Sequence, residues 1–79
     1  MLREKLASNA HERWSRWTEH LLRQCTLHED GRMTIPAAFV NRWKRQMATA
    51  FSDLTTQEKA SDFTEADIII SIIEETSCT

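Results

Sequence analysis

The histidines and cysteines are the first residues to consider for chemistry, because they serve as metal ligands, bases and nucleophiles. A metal site would have to be built from His11, His20, Cys25 and His28. Cys25 and His28 have the spacing of one half of a zinc site, but no second ligand pair follows at a useful distance. Nucleophilic catalysis needs a cysteine or serine beside a base, and no such signature is present. We therefore expect a protein that is not an enzyme and holds no metal.

Phosphate-binding loops and disulfide frameworks are also excluded by composition. A phosphate loop needs several glycines, whereas Gly31 is the only glycine in the chain. Cys25 and Cys78 are too few to form a disulfide framework, and reduced thiols fit best. We expect no cofactor.

The remaining polar residues of interest are Lys59, Asp62 and His11. Helical periodicity places Lys59 and Asp62 within the main apolar stripe of the third predicted helix, and His11 at the edge of the core. A buried charge is unfavourable unless it has a partner. Two interpretations stay open: a structural polar network in which Asp62 pairs with a neighbour such as His11, and a small polar pocket.

Three helices are predicted to position these residues. Helix 1 is expected over residues 2–27, because apolar side chains recur there every three or four residues. They are Leu2, Leu6, Ala10, Trp14, Trp17, Leu21 and Cys25. Residues 28–32 contain Asp30-Gly31 and predict a turn. Helix 2 is expected over residues 36–48, with Pro36 at its start and an apolar face that includes Trp43.

Helix 3 is expected over residues 56–75, because Thr55 and Glu58 have the spacing of a capping box. Its main apolar stripe consists of Phe63, Ala66, Ile69, Ile70 and Ile73. Ile68 and Ile72 fall on the opposite side, so we expect them to form the interface of a homodimer, the alternative being that the long helix 1 covers both faces of helix 3. The expected fold is all-α: one compact three-helix domain over residues 1–75, with a long first, a shorter second and a long third helix. Residues 76–79 are expected to be a disordered tail.

The composition and charge limit the partners. The chain of 79 residues has a formal net charge of -2, but nine of its ten Lys and Arg residues lie before residue 48 and its acidic excess follows. No apolar segment approaches the roughly 20 residues that a membrane helix needs, so we expect a cytoplasmic protein with no membrane partner. Nucleic-acid binding through the basic surface of helices 1 and 2 is a lesser alternative. It is disfavoured because the tryptophans lie on apolar stripes and the isoelectric point is about 5.9.

Two blocks of the chain resemble a known family. The first runs from Glu4 to Trp14 and reads E-K-L-A-x-N-x-H-E-x-W. The second begins at Phe51 and reads F-x-D-L-x-x-x-E-K-x-x-D, with Ala66 following. In this order they are similar to the opening and closing blocks of the ryanodine receptor repeat, or RyR domain, and together they cover about a third of the chain. The short length is similar to that of stand-alone members in phage and prophage genomes.

The resemblance implies a helical, non-enzymatic module that binds a nucleotide-like ligand. The matching positions, and hence the expected ligand-binding residues, are His11, Glu12, Trp14, Phe51, Lys59 and Asp62. A basic side chain would meet the phosphate, and Trp14 or Phe51 would stack on the base. The alternative is a phage accessory protein that inhibits a host defence protein by direct contact. If the chain is viral, it acts in the cytoplasm of the host.

Overall fold

The chain is largely helical in a computed structural model that describes residues 1–77. The helices are α1 (Leu2–Gln24), α2 (Ala37–Ala48) and α3 (Thr56–Ser77), and the strands are β1 (Thr26–Leu27) and β2 (Met33–Thr34). A 3-10 turn covers Phe51–Asp53. With 78% helix, arranged as a long, a shorter and a long helix, the predicted all-α class is confirmed. None of the helices within residues 1–77 is both long and apolar enough to cross a membrane.

Helix α1 ends three residues earlier than predicted. Thr26 and Leu27 pair with Thr34 and Met33 in a short antiparallel hairpin, so the predicted helical assignment of residues 25–27 is wrong. The turn predicted between them is present, and Gly31 has φ of 90°, a conformation that glycine adopts at little cost. The Asp30 carboxylate accepts a hydrogen bond from the Arg32 amide at 3.0 Å. Local hydrogen bonds of the hairpin replace the last helical turn.

The other helix boundaries follow local chemistry. Helix α2 begins directly after Pro36, whose carbonyl accepts hydrogen bonds from Phe39 and Val40. The capping box of α3 is confirmed, because the Thr55 amide donates to Glu58 Oε1 at 3.0 Å and the Glu58 amide donates to Thr55 Oγ1 at 3.2 Å. The helix continues through Thr76 and Ser77, which were expected to belong to the disordered tail. The rest of that predicted tail, residues 78–79, lies outside the described residues.

The chain divides into two compact units. The first unit combines Met1–Ser15, the N-terminal part of α1, with the segment from Thr55 onward, which contains α3. The α1 residues that are most protected from solvent here are Leu2, Leu6 and Asn9, spaced by four and three residues. Asn9 is 5% exposed and is the only buried residue within residues 1–77. Helix α3 belongs to the same unit as this part of α1.

The face of α3 that is protected differs from the predicted one. Ile68, Ile69 and Ile72 are half-buried, whereas Phe63, Ile70 and Ile73 are exposed. The prediction that Phe63, Ile70 and Ile73 face the core is therefore wrong. Both faces of the helix are apolar, and the face with Ile68 and Ile72, which helical periodicity had placed outside, is the more protected one. Ile68 and Ile72, the predicted homodimer interface, are half-buried in the single chain, and the homodimer stays a prediction.

The second unit, Arg16–Leu54, is organised around aromatic side chains. Trp17 and Trp43 meet edge to face with ring centroids 5.7 Å apart, and Phe39 lies 5.5 Å from Trp43. His20 stacks on Trp17 at 5.4 Å. Such contacts stabilise by about 0.5–1.5 kcal/mol beyond simple burial. They hold α2 against the C-terminal part of α1.

The capping box supports a first prediction about stability. Replacing Thr55 with alanine removes the side-chain acceptor for the Glu58 amide, and we expect the free energy of unfolding to fall by about 1 kcal/mol. Urea unfolding followed by circular dichroism measures this. Thr56→Ala is the matched control and should have a smaller effect. Equal losses for the two variants would contradict the cap.

A second prediction concerns Asn9. Asn9→Asp keeps the size of the side chain but places a carboxylate at the most buried position, and we expect a loss of about 1–3 kcal/mol at pH 7. Burial raises the pKa of such a carboxylate above its unfolded value of about 3.9, so the loss should diminish as pH falls through the raised pKa. Ser8→Asp, at an exposed neighbouring position, is the control. A pH-independent loss, or no loss, would contradict the placement.

Candidate interaction site

Trp14 is the most exposed of the predicted site residues with a large apolar side chain. It is 62% exposed, and its indole stacks on the His11 ring with centroids 6.2 Å apart and planes inclined by 23°. The two residues are three positions apart on α1, which brings them to the same side of the helix. Ala7 and Ala10 are exposed next to them along the helix and leave the rings accessible. The result is an aromatic surface on the first unit, formed by His11 and Trp14.

The charged residues of the predicted site do not form a buried network with His11. Glu12 and Asp62 are exposed, and Lys59 is half-buried. No hydrogen bond or ion pair joins His11 to Asp62 within the described residues. The expectation that His11 and Asp62 are half-buried partners is therefore wrong, because the stripe that carries Asp62 faces away from the core.

Phe51 belongs to the second unit, whereas the other predicted site residues belong to the first. It begins the 3-10 turn, where its carbonyl accepts a hydrogen bond from the Leu54 amide at 3.1 Å. Its side chain is exposed, and the residue has an interaction partner in the chain. The structure thus gathers His11, Glu12, Trp14, Lys59 and Asp62 on the first unit and leaves Phe51 on the second.

Cys25 and His28, the half-site considered for zinc, take part in local structure. The Cys25 thiol donates to the Leu21 carbonyl, with 3.2 Å between sulfur and oxygen. His28 Nε2 is hydrogen-bonded to the Thr34 hydroxyl across the hairpin. In the part of the chain that the structure describes, no group of three or more His, Cys, Asp or Glu side chains could hold a metal ion.

Asn9 was not among the residues of α1 that the sequence singled out. It lies on the same protected face of α1 as Leu2 and Leu6, away from the aromatic surface, and its burial makes it a packing residue. Its spacing from Leu2 and Leu6 is the signal that identifies it, since the three residues recur at helical intervals. The apolar pattern alone favoured Ala10, which is one position away and exposed.

Comparison with protein-family models, curated proteins and solved structures found no match for this chain. The likeness to the ryanodine receptor repeat rests on the two sequence blocks alone.

The exposure of Asp62 supports a third prediction. Asp62→Ala should change the free energy of unfolding by less than about 0.5 kcal/mol, because the carboxylate is solvated and makes no ion pair within residues 1–77. Chemical denaturation of the variant and the wild type measures the difference. A loss above about 1 kcal/mol would show that Asp62 has a buried partner.

Proposed function

We propose that the chain is a small, non-enzymatic interaction module that docks on a host protein through the aromatic surface formed by His11 and Trp14. The observation that carries the proposal is the 62% exposure of Trp14. Tryptophan is enriched among the few residues that dominate the energy of protein interfaces. An exposed tryptophan adds little to the free energy of folding, so the free energy of burying its side chain is available for binding a partner.

The stacked arrangement also lowers the cost of binding. The contact with His11 orients the indole before a partner arrives, and ordering a side chain on binding otherwise costs about 0.5–1.5 kcal/mol. Ala7 and Ala10 allow a partner to approach the rings along the helix. This arrangement suits an apolar pocket on a partner protein, into which Trp14 inserts.

The resemblance to the ryanodine receptor repeat adds two elements to the proposal. It favours a phage or prophage source, for which inhibition of a host defence protein by direct contact is a fitting role. It also favours a second candidate function, binding of a nucleotide-like ligand. The specific observation behind that candidate is the accessible His11 and Trp14 ring pair, since a base can stack on an aromatic face.

Protein docking is the better supported of the two. Small-molecule sites are concave and enclose most of the surface of their ligand. His11, Glu12, Trp14 and Asp62 are all exposed, which suits a broad contact more than an enclosed one. Lys59 is the half-buried cation of the same unit and would be the phosphate partner in the nucleotide-binding alternative.

Affinity measurements with Trp14→Ala form the fourth prediction. A host protein captured on the immobilised chain is identified and purified, and its dissociation constant is measured by calorimetry. We expect Trp14→Ala to weaken binding by about 30-fold or more, equivalent to a hot-spot contribution of about 2 kcal/mol. Its own stability should change little, because the side chain is exposed.

Leu27→Ala is the matched control, since Leu27 is an exposed apolar residue of the second unit. It should bind as the wild type does. A partner that binds Trp14→Ala as tightly as the wild type would overturn the proposed surface. Parallel titration with adenine and guanine mononucleotides, followed by the indole NMR signal of Trp14, tests the second candidate. A shift of that signal without any protein partner would favour the nucleotide.

A further inference from the structure

Trp17 is an exposed aromatic residue of the second unit that the proposed docking surface does not use. Its side chain is 49% exposed, although it lies on the apolar stripe of α1. His20 is also exposed and stacks on the indole, with centroids 5.4 Å apart and planes inclined by 29°. Trp43 of α2 meets the same indole edge to face at 5.7 Å. These two contacts orient an aromatic ring that remains accessible to solvent.

The second unit is basic, although the whole chain is acidic. Residues 16–54 contain six Lys and Arg residues against four Asp and Glu residues, a net charge of +2. Two of the four carboxylates already pair with arginines, Glu19 with Arg23 and Asp30 with Arg32. The acidic excess of the chain therefore belongs to the first unit, and the low isoelectric point does not exclude an anionic ligand for the second.

Helix α2 places positive charge beside the aromatic contact. It contains three basic residues and no acidic residue. Arg42 and Lys44 immediately flank Trp43, the residue that contacts Trp17, and both are exposed. Successive residues of a helix diverge by about 100°, so the two basic side chains leave α2 on the two sides of Trp43. An accessible aromatic ring and two cationic side chains thus lie within one small region of the second unit.

An aromatic face with basic side chains beside it is the combination that binds single-stranded nucleic acid. Bases of any identity stack on aromatic side chains, and basic side chains neutralise the phosphates. Double-stranded nucleic acid does not offer the faces of its bases, because they are stacked on one another. A mononucleotide needs a concave site that encloses it, whereas Trp17, Arg42 and Lys44 are all exposed. The arrangement therefore favours a single strand lying across the surface.

We propose that the second unit binds single-stranded nucleic acid, with a base stacked on Trp17 and the neighbouring phosphates contacted by Arg42 and Lys44. Nucleic-acid binding was disfavoured by the sequence because the tryptophans lie on apolar stripes, and the exposure of Trp17 removes that objection. The site contains neither His11 nor Trp14. The inference therefore goes beyond protein docking and does not depend on it.

Two substitutions of Trp17 separate base stacking from packing within the unit. Trp17→Phe keeps an aromatic face, whereas Trp17→Leu keeps an apolar side chain next to Trp43 but removes the face. Fluorescence anisotropy with a labelled oligothymidylate of about 12 nucleotides, at low salt, gives the dissociation constants. We expect Trp17→Leu to weaken binding about tenfold or more and Trp17→Phe to weaken it about threefold or less. Circular dichroism checks that both variants remain helical.

Two charge-neutralising double variants test the phosphate contacts. Arg42→Gln/Lys44→Gln removes two charges from α2, and Arg3→Gln/Lys5→Gln removes two exposed charges from the first unit, so the net charge of the two variants is the same. All four side chains are exposed, and both variants should fold. Each lost phosphate contact lowers the slope of log K against log salt by about 0.7 for a single strand. We expect the slope to fall by about 1.4 for the α2 variant and to stay unchanged for the control.

A duplex of the same length provides the last comparison. We expect it to bind more weakly than the single strand, because its bases cannot stack on Trp17. A duplex that binds as tightly would indicate attraction to phosphates alone and would overturn the proposal. So would a wild-type chain that forms no complex with the oligothymidylate at low salt, equal affinities of Trp17→Leu and Trp17→Phe, or equal salt slopes of the two double variants.

Discussion

The constraint on which this structure depends is the shortage of chain to cover its own apolar surface. A protein of this size hides only about 60% of the surface of its unfolded chain, and one core gives about 3–5 kcal/mol of net stability. Within residues 1–77 no apolar residue is buried. Half-covered helix faces, aromatic contacts and helix caps therefore supply the stability, and each exposed apolar face is a surface that association can cover.

Features set by local chemistry could be predicted from the sequence. Thr55 and Glu58 are three residues apart, so their reciprocal hydrogen bonds need no tertiary contact. The start of α3 can therefore be predicted from a segment of four residues. Pro36 fixes the start of α2 in the same way. The turn at Gly31 was also predictable, but the strands beside it were not. Two-residue strands are too short to show periodicity, and their pairing competes with the last turn of α1.

Features set by distant contacts could not be predicted from periodicity. Helical periodicity shows two apolar faces on α3, but only tertiary packing decides that Ile68 and Ile72 are half-buried and Ile70 is exposed. Packing likewise buries Asn9 and leaves Trp14 exposed. In the sequence, Asn9 interrupts the apolar pattern of α1, whereas in the structure it is the most buried residue of the described chain. For the candidate site, periodicity placed Trp14 on the apolar stripe of α1 and His11 at the edge of the core, whereas both side chains are exposed.

Association and folding are linked in a molecule of this kind. A partner that binds only the folded chain adds about 2.7 kcal/mol of stability when present at a hundredfold excess over its dissociation constant. That gain is comparable with the net stability expected of the isolated chain. Docking through Trp14, as proposed, therefore also shifts the folding equilibrium toward the folded chain.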